Sequence, residues 1–355
     1  MKGFPSNSCQ NSLSNRLDFK YFRVTTIQES KRLSMDHQIL TAIQIKKVSF
    51  QHTPVLLNEI ISFMPENAES IVDFTLGGGN HAHALLKAGS GAFLYGCDRD
   101  KEALAASQDK LKEFKGRFDL LHYSFSQAVS HLVESGVEAD FAMADLGVSS
   151  HQLSTADRGF SFRNDGPLDM RMNGSEGMTA ADVVNTYTEQ DLTVIIKKYG
   201  EERFAQRIAQ RIVRQRESKS FATTSDLANC VLEAIPKKFQ FNKIHAATKT
   251  FQAIRIEVNS EINELEALLA NVLGLMKQGG RIALITFHSL EDRPVKQIFK
   301  QWQDPCTCPK NIPVCVCNLR SEGKVITRKA VKATQDEIEM NNRSRSARLR
   351  VFEKR

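Results

Sequence analysis

The sequence predicts an α/β protein: a parallel sheet with helices on both faces, interrupted by an inserted all-helical domain. From residue 52 onward, short apolar segments alternate with segments of helical spacing. This alternation is typical of strand–helix–strand units. It stops between residues 151 and 245, where helical segments follow one another, and a strand pattern resumes at Arg281–Phe287. We therefore expect the helical part to be an insertion in the sequence of the sheet domain, after its fourth strand.

The individual elements follow from the apolar spacing in chain order. Strands are expected at Ser70–Thr75, Ala92–Asp98, Phe118–His122, Asp140–Leu146, Arg281–Phe287, Val325–Lys332 and Ala347–Phe352. Helices are expected at Ala82–Ala88, Lys101–Phe114, Glu189–Tyr199, Glu202–Arg216 and about Thr248–Met276. The last is predicted as one long helix because apolar residues recur along it every three or four positions.

These patterns divide the chain into three parts. Residues 1–46 are poor in acids and lack a clear period, and we expect a disordered extension there. A true start at Met35 and a basic organelle-targeting segment are the alternatives. Residues 47–150 and 246–355 are expected to form the sheet domain, and residues 151–245 the helical insert.

Composition and charge exclude several classes of protein. The chain has 355 residues, 41% of them hydrophobic and 25% charged, so it is neither wholly disordered nor fibrous. No apolar run approaches the roughly 20 residues that cross a bilayer, and no membrane contact is expected. Residues 1–50 carry a net charge of +5, residues 318–355 carry +6, and the remainder carries −4. A uniformly basic coat is thereby excluded, and any polyanion is expected to meet particular parts of the chain.

The cysteines indicate a reducing compartment. Their number, seven, is odd and no secretory segment precedes the fold, so a disulfide framework is not expected and the cytoplasm is. Four of them form a C-x-C, six-residue spacer, C-x-C array: Cys306, Cys308, Cys315 and Cys317. A zinc site is one interpretation, but one residue between paired cysteines is tight for zinc. A reduced or redox-labile loop is favoured, and no metal is predicted.

A glycine-rich loop follows the first predicted strand. Gly77-x-Gly79-x-x-Ala82, with Asp98 about twenty residues later, fits the dinucleotide fingerprint, so a nicotinamide-dependent oxidoreductase is one interpretation. Asp73 discriminates, because a carboxylate before the glycines would repel a pyrophosphate and attract the ammonium and sulphonium groups of S-adenosylmethionine. S-adenosylmethionine is therefore favoured. A tight turn without ligand, and a helix-cap role for Asp98, are the alternatives.

Two further strand ends should reach the same crevice, because ligands of open α/β sheets bind outside the carboxyl edge. The third strand leads to Phe125, which is expected to cover an adenine face. The fourth leads to Asp145, at the position where amino-methyltransferases carry the polar group that holds the target amine. A cap for the following turn is the alternative for Asp145.

Together these motifs resemble a known family. The chain is similar to the bacterial 16S ribosomal RNA cytosine-N4 methyltransferases (the RsmH, or MraW, family) over about residues 50–355. The motifs that carry the resemblance are His52-Thr-Pro-Val-Leu-Leu57, Asp73–His81, Asp98-Arg-Asp100, Asp145–Gln152, Asp157-Arg-Gly-Phe-Ser-Phe162, Asp165-Gly-Pro-Leu-Asp-Met-Arg-Met172, Tyr199-Gly-Glu-Glu-Arg-Phe204, Ala247-Thr-Lys-Thr-Phe-Gln-Ala-Ile-Arg255, Asn259-Ser-Glu261 and Phe287-His-Ser-Leu-Glu-Asp-Arg293.

The resemblance implies a class I (Rossmann-like) S-adenosylmethionine-dependent methyltransferase sheet with an inserted all-helical domain that helps to recognise RNA. It implies N4-methylation of a cytosine in the decoding region of 16S ribosomal RNA, with the small ribosomal subunit as partner; a homodimer is left open. The implied S-adenosylmethionine contacts are Gly79, Asn80, His81, Asp98, Phe125, Asp145 and Gln152. The chain departs from the usual family sequence at two positions: Asn80 stands where glycine is usual, and Asn342 stands where proline is common. The alternative is a non-catalytic assembly factor with the same fold. The chain retains Asp73, Asp98 and Asp145, and an inactive binding protein would not require all three.

The catalytic expectation centres on Asp145, which we expect to bridge donor and amine and to remove or orient a proton. Asn259 and His288 are second-line candidates. Two groups of arginines are candidates for RNA phosphates. One is a helix face with Arg203, Arg207, Arg211 and Arg214, for which pairing with Glu201 and Glu202 is the alternative. The other is the tract Arg343, Arg345, Arg348 and Arg350. The alternative for this tract is a last strand of the sheet whose arginines face outward.

Overall fold

The computed structural model describes residues 54–240, 245–309 and 315–355. The expectation for residues 1–46 lies outside these described residues. Among the helices that the structure describes, none is long and apolar enough to span a membrane.

In the described residues, one sheet of seven strands forms the centre of the fold. Its strands are β1 Ser70–Asp73, β2 Phe93–Asp98, β3 Phe118–His122, β4 Ala139–Asp145, β5 Met276–Thr286, β6 Gly323–Val325 and β7 Arg348–Lys354. They lie in the order β3-β2-β1-β4-β5-β7-β6. The first five are parallel, as predicted, whereas β7 is antiparallel to β5 and β6 is antiparallel to β7. The mixed α/β class with a Rossmann-like sheet is confirmed.

Helices connect and cover the strands. They are α1 Leu57–Phe63, α2 Asn80–Ala88, α3 Lys101–Lys110, α4 Phe125–Glu134, α5 Ser150–Ser154, α6 Ala180–Thr186, α7 Glu189–Gly200, α8 Ala205–Arg216, α9 Thr224–Ala234, α10 Thr248–Asn259, α11 Glu261–Leu275, α12 Ser289–Gln303 and α13 Gln335–Met340. The central strands β1 and β4 are buried almost along their whole length, as expected for strands that are covered on both faces.

The predicted long helix is wrong, because the chain breaks it at Ser260. Ser260 adopts a left-handed conformation with φ of 49°, which ends α10 and starts α11 in a new direction. The apolar period runs through the break, so spacing alone could not reveal it. The helix expected from Glu202 begins instead at Ala205, and Glu201, which is also left-handed with φ of 47°, ends α7.

The predicted strand Val325–Lys332 is mostly wrong. Only Gly323–Val325 pairs as a strand with β7, and an isolated bridge joins Val331 to Leu349. Between them the segment leaves the regular ladder: Thr327 Oγ1 accepts a hydrogen bond of 2.8 Å from the Val351 backbone N–H.

Three groups of buried apolar residues form the interior. Two pack on the faces of the sheet, and the third is built from the helices between Phe160 and Ile254. This third group includes Ala247, Phe251 and Ile254, so the helical cluster continues beyond residue 245 into α10. The helical segment thus has apolar contacts of its own.

Candidate active site

Three aspartates end three neighbouring strands at the carboxyl edge of the sheet. Asp73 ends β1, Asp98 ends β2 and Asp145 ends β4, and these strands are adjacent in the order β2-β1-β4. Parallel strands bring their carboxyl ends to one edge, where open α/β sheets bind ligands. The structure therefore brings together the three acids that were singled out in the sequence.

Asp98 holds the glycine-rich loop. Its Oδ2 accepts a hydrogen bond of 2.8 Å from the Gly77 N–H, and its Oδ1 accepts one of 2.9 Å from the Asp100 N–H. The cap of α3 is Asp100, which accepts from the Glu102 N–H, so the helix-cap alternative for Asp98 is wrong. Burial raises the pKa of Asp98 to about 6, and the charge of Asp100 also raises it.

Asp73 and Asp145 are linked through Thr75. Asp73 Oδ1 accepts hydrogen bonds from the Thr75 N–H at 3.0 Å and from its hydroxyl at 3.4 Å. The same hydroxyl accepts a bond of 2.6 Å from the Asp145 N–H. Burial is the main cause that raises the pKa of Asp73 to about 7 and that of Asp145 to about 8. The charges of neighbouring acids add to both: Asp98 to the pKa of Asp73, and Asp73 and then Glu291 to that of Asp145.

One oxygen of each of these two carboxyls is shielded from water and has no hydrogen-bond partner: Asp73 Oδ2 and Asp145 Oδ1. A buried carboxylate oxygen without a donor is costly. A cationic ligand would compensate that cost, whereas a pyrophosphate would add to it. These two carboxyl oxygens therefore fit the positively charged ammonium and sulphonium groups of S-adenosylmethionine.

The glycine loop itself is constrained at Gly79. This residue precedes α2 with a left-handed φ of 72°, and an added Cβ would lie 3.0 Å from the Ser107 Oγ. Glycine is the residue that adopts such a backbone without strain. The turn presents the N-terminus of α2, with its free N–H groups, to the crevice.

The side chains of the next two predicted contact residues are engaged elsewhere. His81 Nε2 lies 2.9 Å from the Val55 carbonyl oxygen, and Asn80 Oδ1 accepts from the Lys110 ammonium. These contacts fix α2 against the chain before β1 and against α3. As cofactor contacts, Gly79, Asn80 and His81 stay predictions.

Gln152 and Phe125 border the same edge. The Gln152 amide donates to Asp100 Oδ2 at 2.9 Å, and its oxygen accepts from the Ser149 N–H at 3.0 Å. Gln152 thus positions Asp100, which also forms an ion pair of 2.8 Å with Arg158. Phe125 is the first residue of α4 and is partly buried against the sheet core. Direct cofactor contacts by both residues stay predictions.

A second group of charged side chains lies beside Asp145, and three of its members were missed in the sequence. Glu291 accepts a hydrogen bond of 2.7 Å from the Phe287 N–H, and His288 Nε2 lies 3.0 Å from its Oε1. Arg255 makes a bidentate pair with Glu261 at 2.8 and 2.9 Å. Burial raises the pKa of Glu291, but His288, the Phe287 N–H and Arg255 outweigh it and leave that pKa lowered. Glu291 is therefore ionised beside Asp145.

His288 stays a candidate: its Nε2 faces the Glu291 carboxylate at 3.0 Å, and its Nδ1 is shielded from water without a hydrogen-bond partner. The Asn259 side chain is engaged in structural hydrogen bonds. Its Oδ1 accepts from the Met172 N–H at 2.7 Å, and its Nδ2 donates to the carbonyls of Met170 and Arg255 at 2.8 and 2.9 Å. Asn259 ties the end of α10 to the loop that carries Met170, so its side chain positions that loop; a direct catalytic role stays a prediction.

Comparison with known proteins identifies the family. A model of the MraW methylase family matches residues 49–355. The chain belongs to the MraW methylase family. The ribosomal RNA small subunit methyltransferase H of Clostridioides difficile is 47% identical over 310 residues, 86% of this chain and 100% of that protein. The enzyme of the same name from Geobacter sp. (strain M21) is 47% identical over 308 residues, 86% of this chain and 99% of its own length. An rRNA methylase structure from Streptococcus thermophilus matches with 9% identity and a TM-score of 0.38, over 86% of this chain and 99% of that one.

Membership of the MraW methylase family makes the protein a methylase. Methylases of this kind use S-adenosylmethionine, which agrees with the unpartnered oxygens of Asp73 and Asp145. The missed residues Arg255, Glu261 and Glu291 all lie within segments through which the chain resembles the family. Those segments were the signal that could have found them.

The arginine face of this MraW-family chain is smaller than the sequence predicts. Arg203 precedes α8 and lies over the Phe239 ring, 3.8 Å from its centroid. Arg211 pairs with Glu233. Arg207 and Arg214 are exposed on α8.

The alternative of pairing with Glu201 and Glu202 is also wrong. Glu201 lies 3.6 Å from Arg293, and the buried Glu202 accepts from the Phe204 N–H at 2.9 Å. Arg207 and Arg214 therefore remain as the candidates on this helix.

The C-terminal arginine tract of this MraW-family chain is divided between two roles. Arg350 is buried on β7 and makes two hydrogen bonds of 2.7 and 3.1 Å to Asp292, which Arg348 also contacts at 3.1 Å. The expectation that Arg350 binds phosphate, and the alternative that it faces outward, are both wrong. Arg343 and Arg345 are exposed on a short 3-10 helix. Partial burial of the Arg343 side chain, with the charge of Arg163, lowers the pKa of Arg343, so the two positive charges lie within electrostatic reach of each other.

Proposed function

We propose that the protein transfers the methyl group of S-adenosylmethionine to the N4 amine of a cytosine in the decoding region of 16S ribosomal RNA. The observation that carries the chemistry is the pair of shielded, unpartnered carboxylate oxygens on Asp73 and Asp145. The choice of RNA rests on relatives that are named ribosomal RNA small subunit methyltransferase H. The cytosine and its N4 position rest on the resemblance of the motifs. The small ribosomal subunit is the proposed partner, and the cytoplasm the proposed location.

The donor, when bound, supplies a methyl group on a positively charged sulphur. The residues of this chain supply the rest. The backbone at Gly77–Gly79 and the carboxyl of Asp73 bind the donor, and Thr75 keeps Asp73 and Asp145 at a fixed spacing. Alignment of the reacting groups accounts for much of the acceleration in such transfers.

Asp145 is the proposed proton acceptor. The lone pair of an exocyclic cytosine amine is delocalised into the ring, so the amine needs help to become nucleophilic. A hydrogen bond from the amine to Asp145 Oδ1 would orient it. The amine proton would pass to the same oxygen as the N–C bond forms and the methyl–sulphur bond breaks, its electron pair staying on the sulphur. In the ligand-free protein burial raises the pKa of Asp145 to about 8, and the bound cation would favour its ionised form, which is the form that accepts a proton.

The RNA is proposed to lie across exposed arginines around the carboxyl edge. A base in structured RNA must be turned out of its stack before it can reach a buried reactive group, and phosphates on either side need cations to hold them. Arg163 and Arg343 form one such pair, and Arg207 and Arg214 on α8 offer a second. Residues 151–245 are the proposed helical insert that recognises the RNA.

The test is methyl transfer from labelled S-adenosylmethionine to small subunits and, in parallel, to naked 16S RNA, followed by mapping of the modified base. We expect label on the N4 atom of one decoding-region cytosine. Asp119→Asn, on the exposed side of β3, should transfer like the wild type. Transfer to a ring carbon or to another RNA would contradict the proposal. A melting shift with NAD and none with S-adenosylmethionine would restore the oxidoreductase interpretation.

A further inference from the structure

Four cysteines distant from the active site converge on one point between α12 and β6. We refer to them as the cysteine cluster: Cys306, Cys308, Cys315 and Cys317. Their Sγ atoms all lie within 4.8 Å of one another. Residues 310–314, between the two pairs, lie outside the described residues.

The distances between the sulphurs match a tetrahedron around one metal ion. Cys315 Sγ lies 3.6, 3.8 and 3.3 Å from the sulphurs of Cys306, Cys308 and Cys317, and the Cys317 and Cys306 sulphurs are 3.9 Å apart. A zinc–sulphur distance of about 2.3 Å places the corners of a regular tetrahedron about 3.8 Å apart. Bonded sulphurs would be about 2.05 Å apart, so these cysteines are free thiols. The array therefore has the dimensions of a four-thiolate site.

A backbone N–H group contacts one of the four sulphurs. The Val316 N–H points at Cys308 Sγ at 3.4 Å, which is a contact that a thiolate accepts better than a thiol. The base of the loop is closed, because the Glu322 N–H donates to the Trp302 carbonyl at 2.8 Å. The chain thus leaves α12 and returns to β6 at one point, and the sulphurs are gathered beyond it.

We propose that the cysteine cluster binds one structural zinc ion. Soft thiolate ligands in a tetrahedron select zinc or iron–sulphur centres, and sulphurs that lie within 4.8 Å of one another enclose a single ion rather than a cluster of irons. Four protein ligands leave no open position, as in structural zinc sites. The one-residue spacing within each pair argues against zinc in the sequence, but the structure brings all four sulphurs together despite that spacing.

The site does not take part in methyl transfer. His288, at the active site, precedes α12, whereas the cysteine cluster lies beyond its other end. At about 1.5 Å per residue, this 15-residue helix is about 22 Å long. The ion would instead hold the segment before β6 in place, and the proposal stands whatever the RNA substrate is.

The experiment is elemental analysis of the full chain, purified without added zinc. We expect about one zinc per chain. Replacement by Co²⁺ should give the absorption of a tetrahedral four-thiolate complex, and a chelator should expose four further thiols to a thiol reagent. Thr307→Ala, which changes the loop and keeps every sulphur, should retain the metal, and Cys315→Ser should lose it.

The wild-type Co²⁺ spectrum keeps the test decisive if Cys315→Ser fails to fold. A chain with no metal and four reactive thiols, a disulfide within the cluster, or iron in place of zinc would each overturn the proposal. None of these readouts depends on methyl transfer.

Discussion

The Thr75 hydroxyl accepts a hydrogen bond of 2.6 Å from the backbone N–H of Asp145. Through its own N–H, Thr75 also donates to Asp73 Oδ1 at 3.0 Å. One small residue therefore sets the spacing between these two aspartates, each of which has one carboxyl oxygen without a partner. In the sequence, Thr75 is visible only as a residue between Asp73 and the glycines of the loop, and its contact with Asp145 is not apparent.

Thr75→Val should weaken S-adenosylmethionine binding and slow methyl transfer, because it removes the hydroxyl and leaves the Asp145 N–H without an acceptor. Removing one partner of a hydrogen bond and leaving the other buried and unpaired costs about 1–3 kcal/mol, which corresponds to roughly five- to 150-fold in affinity. Thr75→Ser keeps the hydroxyl and should restore most of the binding. Isothermal titration of the three proteins measures this. Equal affinity of the valine and serine variants would show that the hydroxyl is not what holds the site.

Asp145→Asn should lower kcat by about 100-fold or more, the usual contribution of a general base. The affinity for S-adenosylmethionine should fall much less, since Asp73 remains. The two quantities are measured separately, by single-turnover transfer and by ligand titration, with Asp119→Asn as the matched control. Near-normal turnover would remove Asp145 from the chemistry.

Binding of S-adenosylmethionine should strengthen as the pH rises from 6 to 8.5. The raised pKa values of Asp73, about 7, and Asp145, about 8, keep both carboxyls largely neutral at pH 6, whereas the cationic donor needs them ionised. Affinity should gain about tenfold or more across this range, since each ionisation contributes up to tenfold per pH unit. S-adenosylhomocysteine, whose sulphur is neutral, should show a shallower profile. Equal slopes for the two ligands would argue against an interaction with the sulphonium.

The same carboxyls affect stability with the opposite sign. The stability that comes from a neutral buried Asp73 is fully present below its ordinary pKa of 3.8 and is lost as the pH rises through about 7. The melting temperature of the ligand-free protein should therefore fall between pH 5 and pH 8, and less so in Asp73→Asn. The ligand should raise the melting temperature most at the upper end of that range.

The double variant Arg163→Ala/Arg343→Ala should weaken RNA binding and flatten its salt dependence. Each phosphate contact with single-stranded RNA contributes about 0.7 to the slope of log affinity against log salt, so the slope should fall by about 1–1.5. Lys112→Ala/Lys115→Ala removes two exposed charges before β3, at the opposite edge of the sheet, and is the control. An unchanged slope in the arginine variant would place the RNA elsewhere.

Arg350→Met should destabilise the fold, since it leaves the buried Asp292 with Arg348 alone. Breaking a buried ion pair from one side costs about 3–5 kcal/mol, and we expect the lower end of that range in urea unfolding. The exposed Arg345→Met should change stability by less than about 0.5 kcal/mol. A stable Arg350→Met that binds RNA weakly would instead assign Arg350 to the RNA surface.

The sequence could predict what depends on local pattern. Asp73, Asp98 and Asp145 were found because each follows a strand, and parallel strands bring such positions to one edge. Gly79 was found because its neighbours form a recognisable turn. These signals lie within a few residues of the group that they predict.

What depends on packing between distant segments could not be predicted. Glu291 reaches Asp145 only because β5 pairs with β4 across the whole insert. Arg350 is predicted as a surface residue from the alternation along its strand. That alternation does not show that Asp292, on α12, packs against it. The break at Ser260 was hidden because the apolar spacing is the same on both sides of it.

The position of the insert between β4 and β5 also has a consequence for synthesis of the chain. β4 pairs with β5 in the finished sheet, but residues 146–275 must be translated between them. At about 5–20 residues per second, this takes on the order of ten seconds. For that time the apolar β4 has an open edge, the kind of surface on which nascent chains aggregate. We expect a chaperone, or early collapse of the insert, to shield that edge on the ribosome until β5 emerges.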